Sequence, residues 1–290
     1  MFEYPAIDPV AFSLGPLKVH WYGLMYLLGF SGAWGFALRR SSRPWSPLRR
    51  AQVEDLIIYS AFGVILGGRL GYVVLYDIDR WLSDPLWLLR LWEGGMSFHG
   101  GLLGVITAIW FYSRKVGQSF FAITDFAAPL APIGLCFGRI GNFIGQELWG
   151  RPTESVLGMV FPNDPDQLPR HASQLYQAVT EGLILFVVLF WFSRKPRPTA
   201  AVSGLFLVFY SIFRFCVEFV REPDSHIGFD LLGWMTRGQL LCVPMFILGG
   251  SLLIWAYFLN SKVTESKAVK VVVEQVRSRQ ARRKQLEKNK

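Results

Sequence analysis

The stretch CFGRIGNFIGQELWGR, residues 136–151, carries Arg139, Asn142, Gln146 and Glu147 within three helical turns, side chains able to bind or move charge. They follow a long apolar run, where such groups are costly. An arginine at the centre of a bilayer costs about 2.5–3.5 kcal/mol even on a lenient insertion scale. Similar residues interrupt other apolar runs: Arg69 in GGRLGY, His99 in MSFHGGLLG, and Tyr210, Arg214 and Glu218 in YSIFRFCVEFVRE. Tyr210, Arg214 and Glu218 recur every fourth residue and so share a helix face, which Arg221 continues one turn later. Arg139 and Asn142, three apart, share another. Such faces turn into a bundle, because lipid would leave every one of these groups unpaired. Two or three arginines with few acids nearby make a pocket for an anion, and the guanidinium fork suits phosphate. His99, bracketed by Gly94-Gly95 and Gly100-Gly101, is either a hydrogen-bonded packing residue or a base that titrates near neutrality. Structural ion pairing, for instance Arg214 with Glu218, is the competing explanation for any single residue, though it accounts poorly for the whole set.

The elements that must position these groups are legible in the composition. With 52% hydrophobic residues, 18% charged and a mean hydropathy of +0.31, the 290 residues read as an all-α polytopic membrane protein. Apolar windows near 19–38, 55–76, 96–113, 122–145, 174–193, 203–220 and 239–259 predict about seven transmembrane helices. Residues 1–260 form one membrane domain and 261–290 a basic tail. Loops 39–50, 113–115 and 193–198 and the tail hold twenty of the thirty Lys and Arg residues, against seven on the opposite side. The positive-inside rule then places the N-terminus outside and the C-terminus in the cytoplasm. Segment 77–95, rich in Trp and Leu, predicts an amphipathic stretch in the membrane interface. The net charge of +9 sits largely in the tail, which reads as a solvated helix near lipid headgroups, so no nucleic-acid partner is expected. The N-terminus lacks signal-peptide form. Cys136, Cys216 and Cys242 lie in apolar runs without CxxC spacing, which predicts buried thiols rather than disulfides or a metal site.

Several motifs in order resemble the prolipoprotein diacylglyceryl transferases of the bacterial inner membrane. They are HWYGLMYLLGF (20–30), GGMSFHGGLLG (94–104), GRIGNFIGQELWGR (138–151), PRHASQLYQ (169–177) and SGLFLVFYSIFRFCVEFVREPD (203–224). The resemblance implies transfer of the diacylglyceryl group of phosphatidylglycerol to the lipobox cysteine of a prolipoprotein signal peptide, with release of glycerol phosphate. It implies outer loops in the periplasm and neither a metal nor an organic cofactor. It also implies functional roles for His99, Arg139, Asn142, Glu147, Tyr210 and Arg214, and for Tyr22 of WYGLMY. Catalysis falls to His99, Arg139, Arg214 and Tyr210, and substrate binding to Tyr22, Arg139, Asn142, Glu147, Arg214 and Glu218. Two motifs depart from the family pattern, at Gly145 and Gln146 in the first and at Ala172 and Gln177 in the second. The usual NFINGE reads NFIGQE, with Gln146 at a glycine position, and HPSQLYE becomes HASQLYQ, ending in Gln177.

Two other classes compete with this enzyme. The echo between GGRLGY (67–72) and FGRIGN (137–142) raises a membrane transporter of an anionic substrate, since internal repeats mark transporters. A structural scaffold would have little use for His99, Arg139 and Arg214.

Overall fold

The computed structural model describes residues 2–5, 7–15, 17–222, 229–231 and 234–260; the basic tail, 261–290, lies outside the described residues. The chain opens with β1 (Phe2–Glu3) and the hairpin β2 (Val10–Leu14) and β3 (Leu17–His20), then enters α1 (Trp21–Ser41) and α2 (Arg50–Tyr76). A surface segment follows, with α3 (Ile78–Ser83) and two 3-10 turns, Pro85–Leu89 and Leu91–Glu93. Next come α4 (Phe98–Lys115), α5 (Phe120–Ala127) and α6 (Ala131–Ile144). An outer loop carrying β4 (Met159–Val160) and β5 (Pro169–Arg170) leads to α7 (Ser173–Gln177), a π-helical segment (Ala178–Ile184) and α8 (Leu185–Phe192), which run on as one helix. The last elements are α9 (Ala201–Val217), β6 (Phe229–Leu231), β7 (Met235–Thr236) and α10 (Arg237–Ile254).

All seven apolar windows are helical, but they are not equally apolar. Among the described residues, three helices are long and apolar enough to cross a membrane: Arg50–Tyr76, Ser173–Phe192 and Arg237–Phe258. The pair α5 and α6, bent by 45° at a short break with Pro132 in the first turn of α6, makes a fourth if it counts as one span. Helix α9 is shorter, at 17 residues. In α1, Gly, Trp and Tyr dilute the hydropathy; α4 begins with His99 and ends with Arg114 and Lys115. Large apolar side chains such as Leu27, Phe30, Phe62, Leu66, Phe111 and Ile247 are exposed on these helices, as a lipid-facing surface requires.

Helix starts follow local chemistry. Ser97 and Ser119 accept the first free N–H groups of α4 and α5. Thr236 and Gln239 close a reciprocal capping box on α10. Helices α2 and α4 meet along glycines. A Cβ on Gly63 would stand 2.6 Å from the Gly104 carbonyl oxygen, and one on Gly67 would stand 2.6 Å from the Gly104 Cα. Two of the glycines after His99, Gly100 and Gly104, therefore serve close backbone packing.

Arg69, expected among the polar residues inside the membrane, is 2% exposed and faces no anion pocket. Its guanidinium donates to the carbonyls of Trp87, Leu88, Arg90, Gly94 and Gly95, and lies 4.4 Å over the Trp87 ring. It holds the Trp- and Leu-rich segment 77–95 against α2, just before the turn into His99. The echo with GRIGN is thus a difference in role, which removes the repeat that raised a transporter. Each buried carbonyl left unpaired costs about 1–3 kcal/mol. Arg69→Leu should therefore lower stability by at least about 3 kcal/mol, read as a fall in thermal midpoint together with proteolysis within 77–95.

Candidate active site

Helix α6 carries Arg139 and Asn142 and ends at Gly145. The chain then turns through Gln146 and Leu148, both at positive φ (53° and 58°). This reversal brings Glu147 back over the helix end, where its N–H donates to the Asn142 carbonyl at 2.9 Å. The Glu147 carbonyl in turn accepts from Gln174 Nε2 at 2.7 Å, and the Leu148 carbonyl from Ser173 Oγ at 2.9 Å. A glycine would adopt the left-handed conformation at 146 without steric cost. Gln146 holds it with a side-chain bond instead, its Oε1 accepting from the Asn163 N–H at 3.0 Å. The departure from the family pattern keeps the turn.

The polar side chains then link in sequence. Arg139 Nη1 donates to Asn142 Oδ1 at 3.4 Å, and Asn142 Nδ2 donates to Glu147 Oε2 at 3.5 Å. On α9 the four-residue spacing holds. Arg214 Nη2 lies 2.8 Å from Glu218 Oε2, and Arg221 Nη1 lies 3.3 Å from Glu218 Oε1. Arg139 is in electrostatic reach of Glu181 first, and of Arg214, Tyr210 and Arg221, so the α6 and α9 faces share one site. Tyr210 stacks on Phe206. Tyr22 packs on Gly141 of α6, within electrostatic reach of Glu147 and Arg139, and its hydroxyl meets that of Tyr26 at 3.1 Å. Seven of the eight expected site residues therefore come together.

His99 is the exception. It is exposed near the start of α4, its ring edge-on to Phe98, and among the described residues it makes no hydrogen bond to the arginine cluster or to any packing partner. The expected buried thiols also differ in part: Cys242 is buried, Cys136 half-buried and Cys216 exposed.

One site residue escaped the sequence reading. Glu181 lies in the π-helical segment, fully buried, with Oε1 3.7 Å from Arg214 Nη1. Among the described residues, neither of its carboxylate oxygens, nor Arg214 Nη1, has a hydrogen-bond partner. The expectation of arginines with few acids nearby is corrected accordingly, since Arg214 sits between two buried carboxylates. Arg139 has no carboxylate within ion-pair distance among the described residues. A signal did exist, because Glu181 is the sole acid between Ser173 and Phe192. Only the π-bulge, a feature often found at functional sites, reveals that it turns inward. Close contact between Gly182 and Cys136 seats the bulge against α6, where a Cβ on Gly182 would lie 2.6 Å from the Cys136 Cβ.

The outer loop closes over this end of the bundle. Strands β1, β4 and β5 form a small sheet, Tyr4 Oη donates to the Ile144 carbonyl at 3.0 Å, and Tyr4, Phe143 and Phe161 pack as one cluster. Arg170, 7% exposed, bonds Asp164 at 2.6 Å and also pairs with Asp166 and Glu222. Burial pushes the Asp164 carboxyl up, but hydrogen bonds from Arg170 and the backbone N–H groups of Asp166 and Leu168, with the Arg170 charge, hold it below the usual carboxylate range. A depressed folded value gives stability that is complete above the unfolded value of about 3.9 and is lost as pH falls through the folded one. The loop should therefore resist limited proteolysis equally at pH 5 and pH 8 and loosen only below about pH 4. Arg170→Leu, which strands a buried carboxylate, should cost about 3–5 kcal/mol at neutral pH.

A sequence model of the family described as prolipoprotein diacylglyceryl transferase matches residues 9–255. A phosphatidylglycerol–prolipoprotein diacylglyceryl transferase of Teredinibacter turnerae is 59% identical over 89% of this chain and 93% of its own length. Proteins with the same name from Azotobacter vinelandii (57% identical, 89% of this chain and 97% of their own) and Pseudomonas putida (55%, 92% and 100%) are similar along nearly their full lengths.

Proposed function

Because the chain belongs to the prolipoprotein diacylglyceryl transferase family, we propose that it transfers the diacylglyceryl group of phosphatidylglycerol to the cysteine thiol of a prolipoprotein. It is an integral membrane protein and a transferase. The thiol sulfur attacks the glyceryl carbon that bears the phosphate. A carbon–sulfur bond forms, the carbon–oxygen bond breaks, and glycerol phosphate leaves with the electron pair on its oxygen. The thiol proton passes to a base.

One observation carries this assignment. Arg139 on α6 and Arg214 on α9 share a site in which, among the described residues, Arg139 has no carboxylate within ion-pair distance, Glu181 acting on it only from further away, and Arg214 Nη1 has no hydrogen-bond acceptor. A phosphate oxyanion supplies the missing acceptors, and the two guanidinium groups stabilise the charge that localises on it as the bond breaks. Glu181 and Glu218 hold Arg214 in place. Asn142 and Tyr210 offer neutral hydrogen bonds, and Glu147, at the exposed edge, is placed to orient Arg139 through Asn142 or to bind the glycerol headgroup. His99 serves as the base. Its exposure and lack of an internal partner favour a group that meets an incoming peptide over one that braces the fold. No cofactor takes part.

The same proposal sets seven spans, the N-terminus and loop 146–173 in the periplasm, and loop 39–50 with the tail in the bacterial cytoplasm. The division of basic residues supports this orientation. With the native cysteines removed, Asp166→Cys should react with an impermeant thiol reagent in intact spheroplasts and Ser42→Cys should not; the reverse pattern overturns the orientation. The activity is tested by incubating purified protein with phosphatidylglycerol and a lipobox peptide. The peptide should gain the mass of one diacylglyceryl unit, and an unchanged peptide mass with well-folded protein would refute the proposal.

A further inference from the structure

We propose a second oxyanion site, separate from the transfer reaction, at the far end of the bundle, for a phosphate group. Tyr22, at the arginine cluster, and Arg40 are eighteen residues apart on α1, which is about 27 Å along a helix. Around Arg40 lies a cavity of about 140 Å³ lined by Arg40, Arg43, Asp125, Ser193, Lys195 and Arg197. One water needs about 10–15 Å³ of such space, so the cavity has room for a phosphate group.

The lining is four cations and one carboxylate, and the carboxylate is already committed. Asp125 Oδ2 accepts from the Ala200 N–H at 2.7 Å, while Oδ1 accepts from the Ser203 N–H at 2.8 Å and Ser203 Oγ at 2.6 Å. Among the described residues the cations hydrogen-bond only to neutral groups, with the Asp125 carboxylate in electrostatic reach of Arg40. Arg40 Nη1 donates to Ser193 Oγ at 2.6 Å, and Nη2 donates to the Asp125 main-chain carbonyl at 3.4 Å. Arg43 Nη1 donates to the Ser193 carbonyl at 2.8 Å, and Arg197 Nε to the Phe192 carbonyl at 2.8 Å. Among the described residues no carboxylate lies within ion-pair distance of any of the four.

Arg40 decides the matter. It is 8% exposed, and its Nε has no hydrogen-bond partner. Orienting a membrane protein needs basic residues near the ends of its spans. That need accounts for exposed Lys195, but not for a guanidinium held nine-tenths buried with an unused donor, which is costly without a counter-charge. A phosphate oxygen meets that donor. Arg43 and Arg197 at the rim close on the remaining oxygens, and Trp45, exposed beside them, sets the cavity at headgroup depth. The shared ligand chemistry is a phosphate oxyanion, supplied by an anionic lipid headgroup or by free phosphate.

Native mass spectrometry of the full chain in neutral detergent tests this, comparing wild type with Arg43→Gln/Arg197→Gln. This variant leaves the Arg40 bond to Ser193 intact. Each protein is titrated with short-chain phosphatidylglycerol and, separately, with inorganic phosphate at fixed ionic strength. Wild type should bind one equivalent that the variant binds about tenfold or more weakly, as expected on losing charge-assisted hydrogen bonds. Diacylglyceryl transfer by the variant should stay within about twofold of wild type, because the two sites are too far apart to share contacts. A deficit in the lipid titration alone assigns a headgroup site, and a deficit in both assigns a site for phosphate itself. Equal occupancy of wild type and variant in both titrations overturns the proposal. Occupancy is read without turnover, so this outcome is independent of whether the transfer assignment holds.

Discussion

Arg139→Lys and Arg214→Lys should each fold normally and lose roughly 100-fold or more in transfer rate, the scale seen when one donor to a developing oxyanion is removed. Lysine keeps the positive charge but not the planar fork, so it separates bidentate phosphate recognition from simple charge balance. The distinction matters most at Arg214. It lies between Glu181 and Glu218, so a neutral replacement would strand buried Glu181, leave Glu218 to Arg221 alone and cost about 3–5 kcal/mol, confusing loss of folding with loss of chemistry. Arg139 has no carboxylate within ion-pair distance among the described residues, and Glu181 keeps Arg214, so Arg139→Gln should cost less stability while still inactive. Thermal midpoints measured beside the rates separate the two effects. Wild-type turnover by both Lys variants would return these arginines to the role of helix glue.

His99→Gln should be nearly inactive at neutral pH, and raising the pH should restore part of the loss. A cysteine thiol titrates near pH 8.5, so higher pH supplies thiolate without a base. In the wild type a base takes the proton at neutral pH, so its rate should gain far less from added alkali than the variant's does. A packing histidine predicts neither effect. The prediction has added point because His99 is the one expected site residue that stands apart from the cluster. A Gln variant with normal turnover at pH 7 would pass the base role to Tyr22 or Tyr210.

Part of this site was legible in the residues alone, and the reasons are physical. Tyr210, Arg214 and Glu218 are spaced by the helical repeat, so α9 had to gather them on one face, and the Arg214–Glu218 pair follows at 2.8 Å. Arg139 and Asn142 meet for the same reason. Glu181 was missed because a π-helical turn shifts the angular position of a side chain, and no simple repeat announces it. Arg69 shows the opposite error. Its cost in an apolar run was read correctly, but what repays it is a set of main-chain carbonyls, and these are invisible until segment 77–95 folds back on α2. The bend between α5 and α6, and the weak hydropathy of α1 and α4, likewise depend on how helices share polar and small residues. Counting apolar windows registers neither.

The central claim is that phosphate, held by the two arginines, departs from carbon as sulfur arrives. Phosphatidylglycerol carrying oxygen-18 in the bridge between the diacylglyceryl carbon and phosphorus tests it directly, in a reaction with a lipobox peptide and purified protein. The account predicts one glycerol phosphate released per thioether formed, with the label wholly in the phosphate. Label retained on the diacylglyceryl unit, or peptide modified without release of glycerol phosphate, would contradict it.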